Sequence, residues 1–289
     1  MRYAILSNPV CGKTTPDQKM RALSGPSAVL EARIYGLDTA SPEEFSDFAR
    51  ALARRVDVLV IAGGDGSLSR AVNAVDLPGT PIAFLPIGTG NAMRRALRCS
   101  KNLTAEAMRI RRGPIQEYDL VGCEGKRRAF MASLGIEGET LRISRNSLST
   151  ERLDVKRYFF SALRAYFKEY KPASADIILN GTAIRIRRLL SLMVMKQPYY
   201  GFGMKVVPKA RLSDGLLHIR WLRPGLFLSG LAAAASFTIG NPFGGYCAAG
   251  HMEVRLDRPL NVQIDGDLEW QADRFSFEVL PKILRMKGQ

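Results

Sequence analysis

Between residues 1 and 113, short apolar runs alternate with stretches whose apolar residues return every three or four positions. Arg2 to Ser7 is a short strand candidate, while Asp57 to Ala62 (DVLVIA) and Pro81 to Leu85 are continuous apolar runs. Such runs suit parallel strands buried on both faces. Between them, Ser41-Pro42-Glu43-Glu44 is a capping box with proline at the first helical position. Phe45, Phe48, Ala49, Leu52 and Val56 follow it at helical spacing. Leu68, Ala71, Val72 and Val75 mark one side of a second helix, read as opening at Ser67. Strand, Gly-rich loop and helix thus occur twice in succession. That order predicts a layered α/β domain with a mostly parallel sheet.

After Gly113-Pro114 the pattern changes. Ile115 to Val121 and Arg128 to Leu134 read as strands around a charged turn. Asn180-Gly181, between Asp176–Leu179 and Thr182–Arg188, is a hairpin signal, because Asn-Gly accepts the positive φ angles of a tight turn. Ile184 and Ile186 alternate with Arg185 and Arg187, so one face of that strand is wet. Thr150 to Lys171 reads as a basic, aromatic amphipathic helix. We therefore divide the chain into an N-terminal α/β domain over 1–114 and a mainly antiparallel β domain over 115–275. The extreme C-terminus, about 276–289, is expected to return to the first domain, within the range of ordinary domain sizes.

Composition narrows the function. The 289 residues carry 42 Lys and Arg against 27 Asp and Glu, a net charge of +15. Hydrophobic residues make up 46% and charged residues 24%, which excludes a disordered or fibrous chain. Four cysteines lie far apart with no C-x-x-C pair, arguing against a disulfide framework or structural zinc. The apolar window Leu226 to Ile239 is shorter than the roughly 20 residues a spanning helix needs. The N-terminus lacks a signal-peptide pattern, so a soluble, cytosolic protein is expected. The charge implies attraction to polyanions: nucleic acid, anionic lipid surfaces or nucleotide phosphates.

Candidate chemistry lies where the strands end, since ligands of open α/β sheets bind at the carboxyl ends of strands. Gly63, Gly64 and Gly66 let backbone amides approach an anion, and the helix starts at Ser67 and Asn91 add partial positive charge. Gly88, Thr89 and Gly90 form a second such loop. Asp65 is the odd member, because an acid repels phosphate. It reads as a Mg²⁺ partner, a ribose contact, a proton acceptor or a helix cap. Gly12-Lys13-Thr14 imitates the end of a P-loop, but the Gly required five positions earlier is Ser7, so a Walker A site is rejected. Asp214-Gly215 and Asp265-Gly266 read as turns. The second lies among three acids, Asp265, Asp267 and Glu269, suited to Mg²⁺ binding or proton acceptance. Val206, Met193, Met195 and the segment Leu231 to Ala235 would line an acyl pocket or, the better account, pack in a core.

GGDGSLSRAVNAV at 63–75 and PIGTGNAMRRAL at 86–97 resemble the catalytic domain of soluble bacterial diacylglycerol kinases and sphingosine-kinase-like lipid kinases. The likeness continues through GFGMKVVPKARLSDGLLHI at 201–219 and VQIDGDLEW at 262–270, in the family's order. The resemblance implies an N-terminal α/β domain, a C-terminal antiparallel β-sandwich and an ATP site in the cleft between them. It implies ATP and Mg²⁺ as cofactors, phosphoryl transfer to a lipid hydroxyl, and often a homodimer. Its nucleotide residues correspond to Asn8, Pro9, Gly12, the 63–69 loop and Thr89. Its metal site corresponds to Asp214, with the backbone carbonyls of Arg211 and Leu216. The proton acceptor corresponds to Asp267, one methylene shorter than the family's Glu, with Glu269 the nearest alternative. Ala92 stands where the family has an acid, Ser67 where it has Thr, and only Thr39 is available for the family's Thr after the second strand.

On this reading the charge meets ATP and, mostly, an anionic membrane surface at the inner face of the membrane. The clusters are Arg94, Arg95, Arg98 and Lys101; Arg109, Arg111 and Arg112; Lys126, Arg127 and Arg128; and the 150–171 helix. Three rivals remain. One is a kinase of NAD or another soluble acceptor, and another is a lipid- or nucleotide-binding regulator that has lost turnover. Nucleic-acid binding is the poorest, since no motif supports it.

Overall fold

The computed structural model describes residues 1–12, 14–88, 90, 92–146, 160–162, 164–179 and 181–288. It divides into two compact units: 1–120 with 201–203 and 281–289, and 121–200 with 204–280. The boundary read at Gly113-Pro114 falls instead inside a continuous strand, β5 (Ile115–Cys123). Gly113 caps the preceding helix, but the chain does not break there.

In the first unit, β1 (Tyr3–Ser7), β2 (Arg33–Tyr35), β3 (Val58–Gly63) and β4 (Ile82–Pro86) pair in the order β4-β3-β1-β2, all parallel. The end of the last strand, β14 (Asp267–Lys287), adds beside β4 through Met286 and Ile82. Every residue of β3 and β4 is buried, as their unbroken apolar runs require. Helices α1 (Pro16–Leu30), α2 (Pro42–Ala53), α3 (Asp65–Ala74), α4 (Ala92–Ala96) and α5 (Leu103–Arg112) fill the connections. Ser41 caps α2 by accepting from the Glu44 amide, while the Glu44 carboxylate reaches the Ala40 amide. α1 is held by a full capping box between Thr15 and Gln18. It contains Gly25 and Pro26, and a Cβ at Gly25 would meet Thr104 Oγ1 at 2.5 Å, so glycine lets α1 lie close to α5.

In the second unit the pairings of β6 (Arg127–Ala129) to β13 (His251–Ile264) are antiparallel. One layer runs β12 (Gly245–Ala249), β11 (Leu217–Leu222), β10 (Ser191–Met195), β7 (Met131–Gly135) and β13 (His251–Ile264). β13 changes register between Arg255 and Leu260. Its first half pairs with β8 (Ala173–Leu179), which pairs with β9 (Thr182–Leu189) across Gly181. β13 thereby serves both layers of a β-sandwich, and β14 follows it back across Asp265-Gly266. The core between the layers includes Leu134, Ile177, Ile186, Val194, Ile219, Val254, Ile264, Phe275 and Phe277. β6 (Arg127–Ala129) pairs with β5, α6 (Ile136–Asn146) follows β7, and α7 (Leu226–Phe237) follows β11. Of the helix read over Thr150 to Lys171, Thr150 to Phe159 lie outside the described residues. Ala165–Glu169 forms a π-helical turn.

Glu137, at the start of α6, is buried with Oε1 accepting from the Ser191 hydroxyl at 2.5 Å and Oε2 unpartnered. Burial pushes its carboxyl up to about 7, against the Ser191 hydrogen bond. The folded chain therefore holds this proton up to about pH 7, whereas the unfolded chain loses it near the ordinary glutamate value of about 4.3. Between those values the folded state binds more protons, so this contribution to stability falls as pH rises. Glu137→Gln should remove that decline, with the variant gaining melting temperature relative to wild type at pH 8 and not at pH 5. Parallel wild-type and variant melting curves across that range would contradict it.

Candidate functional site

In the first unit, three chain crossings meet at the carboxyl ends of β1, β3 and β4. The Asn8 amide nitrogen bonds to the Ala62 carbonyl at 3.3 Å. The Gly63 carbonyl accepts from Ile87 and Gly88 at 3.0 and 3.1 Å. Asn8 Nδ2 donates to Ser67 Oγ at 3.1 Å, and Asn8 Oδ1 accepts from the Val10 amide at 3.0 Å. The loops fit because they lack side chains. A Cβ at Gly63 would lie 2.4 Å from the Ser67 Cβ, and one at Gly12, whose φ is 67°, would lie 2.9 Å from the Ile87 carbonyl oxygen. Gly64 faces Cys11 Sγ, and nothing crowds Gly66. Asn8, Pro9, Gly12, Gly63, Gly64, Gly66, Ser67 and Gly88 therefore gather at one place in this unit. Lys13, Thr89 and Asn91 lie outside the described residues.

Asp65 opens α3, yet its carboxylate does not cap that helix, whose N-cap is Gly64. Oδ2 accepts from the Ala92 amide at 2.8 Å and Oδ1 from the Met93 amide at 3.0 Å. Asp65 thus caps α4 from 27 residues away. Two amides of that helix start, read from sequence as open to phosphate, are already taken. The carboxyl is set deep enough that burial raises its pKa, opposed by the hydrogen bonds from Met93 and Ala92. Ala92, where the family has an acid, is buried. Gly90 lies beside Asp65 and the turn at Gly201–Gly203, which packs on α4 and belongs to this unit. Thr39 is buried and donates to the Gly36 carbonyl at 2.9 Å, so its hydroxyl is spent locally.

Lys19 was not singled out from the sequence. Its side chain is almost fully buried, and Nζ donates to the carbonyls of Asn8, at 3.0 Å, and Pro9. It tethers the first loop from α1. The signal available was one lysine in the first turn of a helix that also contains Gly25-Pro26.

In the second unit, Asp265 and Gly266 have φ of 48° and 94° and form the two-residue turn between β13 and β14. The Asp265 carboxylate accepts from the Phe130 and Met131 amides, at 3.1 and 2.9 Å to Oδ1, and so fixes the turn. Asp267 is the first residue of β14, opposite Ile264. Glu269, the alternative acceptor, is ion-paired with Arg127 at 2.9 Å.

The metal set implied by the resemblance meets a different cation. Lys196 Nζ lies 2.8 Å from Asp214 Oδ1 and 2.6 Å from the Leu216 carbonyl oxygen. The other carboxylate oxygen is 2.8 Å from His218 Nε2, and His218 Nδ1 is 2.8 Å from the Tyr246 hydroxyl. Burial works to raise the Asp214 pKa, but the Lys196 hydrogen bond and charge, with His218, hold it below the usual value. Burial lowers the His218 pKa, opposed by Asp214. A divalent ion needs oxygen donors at roughly 2.0–2.6 Å, and an ammonium already bridges two of the three expected here. Asp214, Arg211 and Leu216 therefore do not fit a metal. Among the described residues, no group of three or more His, Cys, Asp or Glu is placed to hold one.

Two family models match the chain, one after the other. A family model described as diacylglycerol kinase catalytic domain matches residues 2–123. Another, described as YegS C-terminal NAD kinase beta sandwich-like domain, matches residues 131–287. The diacylglycerol kinase of Staphylococcus aureus (strain MRSA252) is 27% identical over 222 residues, 74% of this chain and 68% of that protein. That of Staphylococcus saprophyticus is 26% identical over 223 residues, 74% of this chain and 70% of that protein. Among solved structures, a diacylglycerol kinase from Bacillus anthracis str. Sterne has a TM-score of 0.77 at 17% identity, covering 99% of this chain and 96% of that one. An NAD kinase from Archaeoglobus fulgidus, solved with ATP, has a TM-score of 0.53 at 14% identity, covering 99% and 93%. These two structures share the fold. The chain belongs to the diacylglycerol kinase catalytic-domain family and is a kinase that transfers phosphate to a hydroxyl acceptor.

Proposed function

We propose that the protein uses ATP, with Mg²⁺ arriving on the nucleotide, to phosphorylate the hydroxyl of diacylglycerol or a related lipid at an anionic membrane surface. The observation that carries this reading is the convergence of three strand-end loops on the first unit's Gly63–Ser67 segment, with Asp65 fixing α4 beside them. Their amides and uncrowded glycine surface suit nucleotide phosphates. Phosphoryl transfer rests mainly on positioning and charge stabilisation, so such loops with one or two carboxylates suffice. A carboxylate offers about four lone-pair sites. Asp65, spending two of these on amides, keeps capacity for a water-mediated link to the nucleotide's Mg²⁺. Asp267 orients the lipid hydroxyl and takes its proton.

Peripheral membrane association draws support from α7, while part of the basic clusters is paired within the protein. Arg109 is paired with Glu106, Arg111 with Glu31, Lys126 with Glu124 and Arg127 with Glu269. α7 carries no charged residue, and of its described side chains only Ala232 and Ser236 are buried. Phe227 is 81% exposed, and Ile239, just past the helix, 78%. The Leu231 to Ala235 segment is therefore largely a surface and not the core packing expected. By contrast, Val206 and Met195 are buried in an apolar cluster against which Met193 packs. Among the described residues no helix is long and apolar enough to cross a membrane. A short apolar helix of this kind suits the interface plane.

Radiolabelled ATP with diacylglycerol in mixed vesicles tests the chemistry. Asp267→Asn should lose about 100-fold or more in kcat, the scale of general-base catalysis, with KM for ATP little changed. Turnover at the wild-type rate would remove Asp267 as the base. Asp65→Asn should lose turnover and about 1–3 kcal/mol of stability, because an amide group then faces two amide donors. Label passing to NAD and not to lipid would favour a soluble acceptor. ATP binding without any product would favour a regulator.

Flotation with phosphatidylglycerol vesicles tests the surface. Phe227→Glu with Ile239→Glu should weaken binding about tenfold or more, since burying each side chain in an apolar phase is worth about 1.5–3 kcal/mol. Turnover of a short-chain, water-soluble diacylglycerol should be unchanged. Undiminished flotation would remove α7 from the membrane contact.

A further inference from the structure

We propose that Lys196 stands in the place of a structural metal ion in this chain, so that the Asp214 turn of the second unit is held by a built-in ammonium. Lys196 follows β10 directly, and its amide donates to the Phe130 carbonyl at 2.9 Å. Pairing of Met195 with His218 fixes β10 against β11, which begins just after the Asp214 turn. The side chain is therefore aimed by the sheet and is fully buried. Its Nζ sits 2.8 Å from Asp214 Oδ1 and 2.6 Å from the Leu216 carbonyl oxygen.

The geometry excludes simultaneous occupancy. A Mg²⁺ bound to both oxygens would lie roughly 2.0–2.1 Å from each, inside the volume the ammonium fills. Two cations of total charge three at such a separation repel strongly in a partly buried site. One lysine neutralises the one charge of Asp214, whereas a dication would leave an excess. The Leu216 amide, 3.3 Å from Asp214 Oδ1, and His218 complete the cage round the carboxylate. Lysine keeps its hold as a fixed part of the fold, whereas an ion is lost to chelators. The inference concerns Asp214 alone and stands whichever lipid is phosphorylated.

Anomalous diffraction from crystals of the full chain grown with MnCl₂ and no nucleotide tests this directly. The expected result is no manganese peak within bonding distance of Asp214 or the Leu216 carbonyl, and a melting temperature unmoved by EDTA. Lys196→Asn, shown to be folded by circular dichroism, should gain a peak there and a Mn²⁺ site seen by paramagnetic resonance at least tenfold tighter than in wild type. Asp214→Asn added to that variant should remove the site. A manganese peak at Asp214 in the wild-type protein overturns the proposal, whether or not the variants fold. A folded Lys196→Asn protein that takes up no manganese at Asp214 overturns it as well.

Discussion

The candidate site depends on the two hydrogen bonds that the Asp65 carboxylate accepts from Ala92 and Met93. An acid in a glycine-rich loop would repel a phosphate if it faced outward. Here it turns to the next helix, where its charge meets the positive end of α4. The bonds tie the loop after β3 to the helix after β4 across 27 residues. Burial of the carboxyl makes them matter more, since leaving either partner unsatisfied carries the full desolvation cost. The Gly63 carbonyl, accepting from Ile87 and Gly88, repeats the tie on the other side of the loop.

The same rule, that a buried charge must be paired, accounts for two lysines with no role readable in the sequence. Lys19 holds the first loop through the Asn8 and Pro9 carbonyls. Lys196 holds the Asp214 turn through a carboxylate and a carbonyl. Each gathers oxygens as a metal ion would, but with three donors on a tether and a single charge.

The strand-end loops were legible because buried parallel strands and glycine loops leave local marks: DVLVIA, then Gly63-Gly64-Asp65-Gly66. So was the hairpin across Gly181, whose turn chemistry is local. What stayed hidden was non-local. Nothing near Asp65 in sequence says that it caps α4, and nothing near Asp214 says that an ammonium 18 residues earlier reaches it. α1 contains Gly25-Pro26, a pair that ordinarily marks a turn, here tolerated in a helix that lies close to Thr104. The break placed at Gly113-Pro114 ends a helix, yet β5 carries the chain on through Cys123. Charge counted along a chain does not show pairing, so the basic clusters could not be read as free charge. Several arginines face acids of their own unit, while the apolar α7 is left at the surface.

We propose that this kinase's acceptor is a membrane lipid. Mass spectrometry of a total lipid extract incubated with the protein, ATP and Mg²⁺ tests it most directly. A lipid species heavier by one phosphoryl group should appear, dependent on both ATP and protein and lost with Asp65→Asn. An extract unchanged by active, ATP-consuming protein would contradict it.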